Sequence, residues 1–190
     1  MDQTDPLFPV FLKLTGRRVV LVGGGAVATA KLSALLDAGA TVTVVAPQIT
    51  REIASSRVTI RQRMFEASDL NDAWLVVAAA PPSVNREVTK AAENRHLFVN
   101  AVDDPPNASA YLGGIVRRGG VTVAISTDGN APALAGLIRQ ALDALLPEKE
   151  VTRWMSLAQN ERASWVSHTV PINRRRPLLL HALAGLYQDE

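Results

Sequence analysis

The chain is predicted to fold in the α/β class, as a Rossmann-type doubly wound parallel sheet followed by a β-hairpin and helix region and a small helical C-terminal region. Three observations carry this. The apolar run Val19-Val-Leu-Val22 leads directly into Gly23-Gly-Gly25 and then into a helical stretch. Strand-like and helix-like segments alternate up to about residue 102, the mark of parallel strands joined by crossover helices. After residue 110 the pattern changes to two apolar runs around Gly119-Gly120 and then to helical spacing interrupted by prolines.

Each element has its own reason. Leu7-Phe-Pro-Val-Phe-Leu12 is a short apolar segment broken by Pro9, expected to pack across the sheet edge. Val19 to Val22 is apolar throughout, which suits a strand buried on both faces. From Ala26 to Ala38, Val27, Leu32, Leu35 and Leu36 recur at near-helical spacing, and Gly39 is a fitting stop. Thr41 to Ala46 is rich in β-branched residues and reads as the second strand. A short strand follows at Val58 to Arg61. The next, Ala73 to Ala80, ends in small residues that leave room for a ligand above the sheet. Ser83 reads as the N-cap of a helix with Val84, Val88, Ala91 and Ala92 on one face. Leu97 to Asn100 is the fifth strand. Ala110 to Arg118 and Val121 to Thr127 form an antiparallel hairpin.

Pro132 opens a helix to Leu146, with Leu134, Leu137, Ile138, Ala141, Leu142 and Leu145 on one side. Its wide apolar face, and the hairpin edges before it, call for cover, so a homodimer is expected. From Glu148 the chain is helical and polar, carrying Trp154, Leu157 and Trp165 as packing residues. Pro171 and Pro177 then interrupt it, and a last helix is expected from Leu178 to Tyr187. The chain divides accordingly into a nucleotide-binding part, 1–109, a dimerisation hairpin and helix, 110–147, and a helical part, 148–190.

Composition narrows the function. Apolar residues make up 47% of 190, enough for the core of an ordinary domain with an appendage. Twenty basic against 18 acidic residues leave a net charge of +2, which is no nucleic-acid footprint despite a pI near 9.3. Arg174 to Arg176 concentrate the surplus and read as a solvated charge run. The absence of cysteine excludes disulfides, cysteine-ligated zinc, iron–sulfur clusters and thiol nucleophiles, and fits a cytoplasmic setting. His96, His168 and His181 have no ligand spacing, so no metal site is expected. The acidic start, Met1 to Asp5, precedes no long apolar run and is not expected to be a secretory signal. No stretch approaches the roughly 20 apolar residues of a membrane span.

The glycine turn is the strongest motif. Gly23-x-Gly25-x-x-Ala28 is the dinucleotide fingerprint with alanine in the third glycine's place. Gly23 permits the tight turn, Gly25 lets backbone approach a pyrophosphate, and Ala28 lets the helix lie close on the sheet. Gly23, Gly25, Ala26 and Val27 are therefore candidates for binding a dinucleotide cofactor. Ala46, Pro47 and Gln48 join them at the end of strand two, and Ala79 at the end of strand four. No acidic residue stands at the end of strand two to hold ribose hydroxyls, so backbone or Gln48 must do so and NADP stays open. Arg51 could meet a 2′-phosphate or simply be solvated. Asp103 and Asp104 follow the fifth strand on the nucleotide side. On the residues alone, either is equally a general base or the cap of the Pro105-Pro106 turn.

Three stretches together resemble one family: Phe8-Pro-Val-Phe-Leu12 with Val22-Gly-Gly-Gly-Ala-Val-Ala28, Val99-Asn-Ala-Val-Asp-Asp104, and Val123-Ala-Ile-Ser-Thr-Asp-Gly-Asn-Ala-Pro-Ala-Leu-Ala135. The family is the siroheme synthase module, comprising precorrin-2 dehydrogenases that often also act as sirohydrochlorin ferrochelatases. The resemblance covers about residues 6 to 147. It implies oxidation of precorrin-2 by NAD to sirohydrochlorin, a tetrapyrrole substrate, a homodimer, and Asp103 as the catalytic aspartate. The chain departs from the family at Asp128-Gly-Asn-Ala-Pro132, where Gly-Gly-x-Ser-Pro is usual, and at Gly136, where arginine is expected. The implied iron insertion is therefore left open, more than the dehydrogenation. A module that binds NAD(H) as a sensor, without catalysis, is the competing reading. An unrelated reductase would show a Tyr–Lys pair or a catalytic histidine, and neither is found.

Overall fold

The computed structural model describes residues 6–187, so the acidic segment 1–5 lies outside the described residues. The chain forms two compact units, one ending at Leu112 and the other beginning at Gly113.

The first unit is the predicted parallel sheet. Its strands are β1 (Arg18–Val22), β2 (Thr41–Val45), β3 (Thr59–Arg61), β4 (Leu75–Ala78) and β5 (Phe98–Ala101), in the order β3-β2-β1-β4-β5. Helices α1 (Ala26–Asp37) and α3 (Pro82–Glu93) cover opposite faces, and α2 (Arg51–Ser55) follows β2. Val19 and Leu21 face Leu32 and Leu35 of α1, while Val20 and Val22 face Val88 and Ala92 of α3. This is why β1 reads as an unbroken apolar run rather than an alternating one. The central register sets Val22 beside Val45 and Ala78, and Ala78 beside Ala101, so the carboxyl ends of four strands finish level.

Three expectations are corrected. Leu7 to Leu12 does not pack on the sheet edge: Phe8 is 87% and Phe11 74% exposed, and the first apolar side chain to enter the core is Leu14. With no strand or helix over this stretch, its side chains have no periodicity to align with the core. Ser83 does not cap α3. Pro81 occupies the N-cap and Pro82 the first helical position, where its fixed φ is already helical and no N–H is wanted. No side chain caps α3; Asn85 Oδ1 instead accepts from the Ala80 N–H at 3.0 Å, tying the loop before the helix to its first turn. Finally, the last helix does not begin at Leu178 after Pro177: it runs from Ile172 to Gly185 with Pro177 inside it.

In the second unit, β6 (Gly114–Arg118) and β7 (Val121–Ile125) form the expected antiparallel hairpin. Gly119 and Gly120, both at positive φ, make its turn. Three helices follow: α4 (Pro132–Leu145), α5 (Glu148–Ser167) and α6 (Ile172–Gly185). Arg118 of β6 pairs with Asp143 of α4 at 2.5 Å, and the Gly119 N–H donates to Glu148 Oε1 of α5 at 3.0 Å. Trp154 Nε1 donates to the Tyr187 hydroxyl, which donates to Glu150 Oε2, both at 2.6 Å, fastening Tyr187 to α5. Pro177 lies inside α6. It leaves the Asn173 carbonyl without its helical donor, and both residues are exposed, so solvent can meet the loss.

Candidate functional site

Crossovers run from β1 one way to β2 and β3, and the other way to β4 and β5, so the sheet switches direction between β1 and β4. Ligands of such sheets sit at strand carboxyl ends at this switch. Along that edge four loops stand side by side. They are Ala46-Pro47-Gln48 after β2, Gly23-Gly24-Gly25 after β1, Ala79-Ala80 after β4, and Val102-Asp103 after β5. Neighbouring strands lie ~4.8 Å apart, so the glycine turn and Asp103, two strands away, are roughly 10 Å apart.

The three glycines differ in what surrounds them. Gly23 has φ +126°, and a Cβ there would stand 2.1 Å from the Ala79 carbonyl oxygen. A Cβ on Gly24 would stand 2.0 Å from the Gln48 carbonyl oxygen. These two let the turn press between the β2 and β4 loops. Gly25 faces open space, with nothing within 4 Å of its missing Cβ. It is the N-cap of α1 and has no side chain to satisfy the helix's first N–H groups, and no acidic residue occupies the first turn. Ala26 and Val27 are exposed, while Ala28 is fully buried against the sheet. An anion arriving at Gly25 meets free N–H groups and the positive end of a 12-residue helix. These residues fit the pyrophosphate of a dinucleotide.

Two threonines missed by sequence reasoning brace the turn. Thr29 Oγ1 donates to the Gly25 carbonyl at 3.0 Å and lies 2.8 Å from Thr50 Oγ1. The Thr50 N–H donates to the Gly24 carbonyl at 2.9 Å, and Thr50 Oγ1 caps α2 by accepting from the Ile53 N–H. The cap was legible, since threonine directly precedes Arg51-Glu-Ile. The contact with Thr29 was not, because it joins separate elements.

At the ribose end, Ala46 is buried while Pro47 and Gln48 are exposed. Arg61 and Arg63 lie nearby in the chain, but both are engaged by the buried carboxylate of Asp69. Burial alone would push that carboxyl up. Hydrogen bonds from Arg63, the Glu66 N–H and Arg61 outweigh it and hold Asp69 at about 2. Arg51 is exposed at the first position of α2.

At the far end, the two aspartates are no longer equivalent. Asp103 is exposed at φ +57°, just after the Val102 N–H donates to the Ala78 carbonyl at 2.9 Å. Asp104 is half-buried, and both its carboxylate oxygens accept from Asn107 Nδ2, at 3.0 and 2.9 Å. It leads into the 3-10 turn Pro105–Asn107. Among the described residues the Asp103 carboxylate has no partner, whereas Asp104 stands at the start of the turn with its carboxylate held by the Asn107 side-chain amide. The three histidines are exposed, and among the described residues no group of three His, Cys, Asp or Glu could hold a metal ion.

Residues 10–114 match the family model described as NAD(P)-binding, and residues 118–145 match the one for the central segment of sirohaem biosynthesis proteins. The chain belongs to the NAD(P)-binding module family of siroheme synthases. The siroheme synthase of Tolumonas auensis is 44% identical over 143 residues, covering 74% of this module and 31% of that protein. Siroheme synthase 1 of Yersinia pestis is 39% identical over 175 residues, covering 89% and 37%. The module thus spans about a third of the length of these curated relatives. Among solved structures, SirC, precorrin-2 dehydrogenase, superposes with a TM-score of 0.72 at 29% identity, covering 92% of this chain and 88% of that one. The chain therefore presents backbone N–H donors for an anion on one strand loop and a free carboxylate two loops away. No helix among its described residues is long and apolar enough to cross a membrane.

Proposed function

We propose that the chain is an NAD-dependent precorrin-2 dehydrogenase of siroheme biosynthesis. The observation that carries this is its likeness to SirC, which extends over nearly all of both chains. The reaction removes two hydrogens from precorrin-2 to give sirohydrochlorin, one as hydride, reducing NAD to NADH, and one as a proton. Bound NAD supplies the hydride acceptor. In this reading the N–H groups of Gly25, Ala26 and Val27 hold the pyrophosphate, and Gly23 and Ala79 form the floor beneath it. Ala46, Pro47 and Gln48 receive the adenosine ribose through backbone and amide groups. Asp103 accepts the proton at the other end, a task typically worth ~10²–10⁴-fold in rate. Its exposure and freedom from partners support this assignment over Asp104.

The same reading assigns residues 1–109 to NAD binding, 110–147 to homodimerisation and 148–190 to a helical C-terminal region. NAD and a polycarboxylate tetrapyrrole are soluble anions, which suits a cytoplasmic enzyme. The test is to mix the pure protein with precorrin-2 and NAD and follow the absorption spectrum. Sirohydrochlorin should appear with one NADH per turnover, and ferrous iron added afterwards reads out metal insertion in the same cuvette. NAD binding with no turnover would favour the sensor instead. Asp103→Asn is the sharper variant, because asparagine tolerates the left-handed backbone that alanine resists. It should retain NAD affinity and lose at least ~100-fold in rate, while Asp104→Asn should lose far less.

A further inference from the structure

We propose that Thr89 and Tyr111 are positioning residues for Asp103, holding from two sides the 3-10 turn that follows it. The inference rests on the dehydrogenase reading above. Thr89 sits on α3, 4% exposed, and its hydroxyl leaves its own helix to donate to the Asn107 carbonyl at 3.0 Å. The Tyr111 hydroxyl donates to the Pro105 carbonyl at 3.1 Å. The first and last residues of the turn are thus each held by one side-chain hydroxyl. Inside the turn, Asn107 holds both carboxylate oxygens of Asp104, and its N–H donates to the Asp104 carbonyl at 3.1 Å.

On the other side of Asp103, Val102 is tied to β4 through the Ala78 carbonyl. Asp103 therefore lies between Val102, tied to β4, and Asp104, whose N–H reaches the Ala101 carbonyl at 3.4 Å and whose turn the two hydroxyls hold. Its left-handed backbone reverses the chain there, so a small rotation of the turn swings its carboxylate. Proton transfer in a reacting complex requires placement to within about 0.5 Å, and a 1 Å error costs up to ~100-fold. The Thr89 hydroxyl is not needed to dock α3, which already packs on the sheet through Val88, Ala91 and Ala92.

The test uses Thr89→Val and Tyr111→Phe, which remove one hydroxyl each at nearly constant shape, and Thr89→Ser, which keeps it. Dehydrogenase kcat at saturating NAD, NAD affinity and Tm are measured for each. Thr89→Val and Tyr111→Phe should each lower kcat ~10-fold with NAD affinity within about twofold of wild type. The double variant should approach Asp103→Asn, and Thr89→Ser should restore kcat. Wild-type kcat in folded Thr89→Val and Tyr111→Phe would overturn the proposal. So would a Thr89→Ser enzyme as slow as Thr89→Val, or NAD affinity falling in step with kcat. If Thr89→Val does not fold, Tyr111→Phe, at a half-buried site, decides alone. An inactive Asp103→Asn with fast hydroxyl variants defeats only this inference, whereas an active Asp103→Asn defeats the catalytic assignment with it.

Discussion

Gly23 and Gly24 have backbone carbonyls 2.1 and 2.0 Å from where a Cβ would stand, while a side chain at position 25 would enter solvent. Substitutions within one tripeptide should therefore separate folding from binding. Gly25→Asp should melt like wild type and bind NAD more than ~100-fold more weakly, because a carboxylate set against the pyrophosphate costs several kcal/mol. Gly23→Ala should cost about 3 kcal/mol of stability or more, through both the clash with the Ala79 carbonyl and the strain at φ +126°. Calorimetric titration and thermal melts on both variants check this. Wild-type NAD affinity in folded Gly25→Asp would move the pyrophosphate away from α1. The fingerprint spacing was readable in sequence because it is local. It could not say which glycine serves packing and which serves the ligand, since that depends on carbonyls contributed by the loops after β2 and β4.

The stretch from β3 to the 3-10 turn Ala67–Leu70 is organised by Asp69, whose fully buried carboxylate binds Arg61 and Arg63 and caps the turn at the Glu66 N–H. Its folded value of about 2 lies below the ordinary 3.8, so the native state favours the carboxylate. The stability it supplies is therefore complete above about pH 4 and is lost as pH falls towards 2. Because both arginines reach solvent, the contribution is of order 1–2 kcal/mol. Asp69→Asn should be less stable than wild type by that amount at pH 7 in urea melts, and the gap should close as pH drops from 4 to 2. A gap independent of pH would show that shape, not charge, makes the contribution. Of this element only the strand was visible in sequence, at Val58 to Arg61, because β propensity is local and the ion pairs span six and eight residues. The parallel strands and α1 were legible from unbroken apolar runs and 3.6-residue spacing. Pro177 misled, because the rule against proline inside helices weakens where the orphaned carbonyl is exposed. Asp103 could be named but not separated from Asp104, since the partner that commits Asp104 is Asn107, whose reach depends on the intervening Pro105-Pro106 turn.

For the molecule as a whole, the question is what covers α4. The sequence gives it a broad apolar side, yet of its residues only Ala135 is buried, while Leu134, Leu137, Ile138 and Leu145 are 50%, 63%, 38% and 71% exposed. Soluble monomers seldom leave such a contiguous apolar patch open, and a patch on a helix is readily matched by the same patch on a second copy about a two-fold axis. The buried side of α4 is set by its contact with β6: a Cβ on Gly114 would lie 3.4 Å from the Ala135 carbonyl, and Arg118 pairs with Asp143. The helix therefore cannot roll to hide its leucines without breaking that ion pair. The expected assembly is a homodimer, with light scattering at micromolar concentration giving twice the chain mass of 20.4 kDa. Leu137→Asp adds a charge at a position that is already exposed in the single chain. It should leave the fold and NAD affinity intact while converting the species to monomer, since a charge buried without a partner in the interface costs several kcal/mol. A wild-type monomer would contradict the dimer directly. A Leu137→Asp protein that stays dimeric would move the interface off this face of α4, leaving the apolar segment around Phe8 and Phe11, also strongly exposed, as the next surface to mutate.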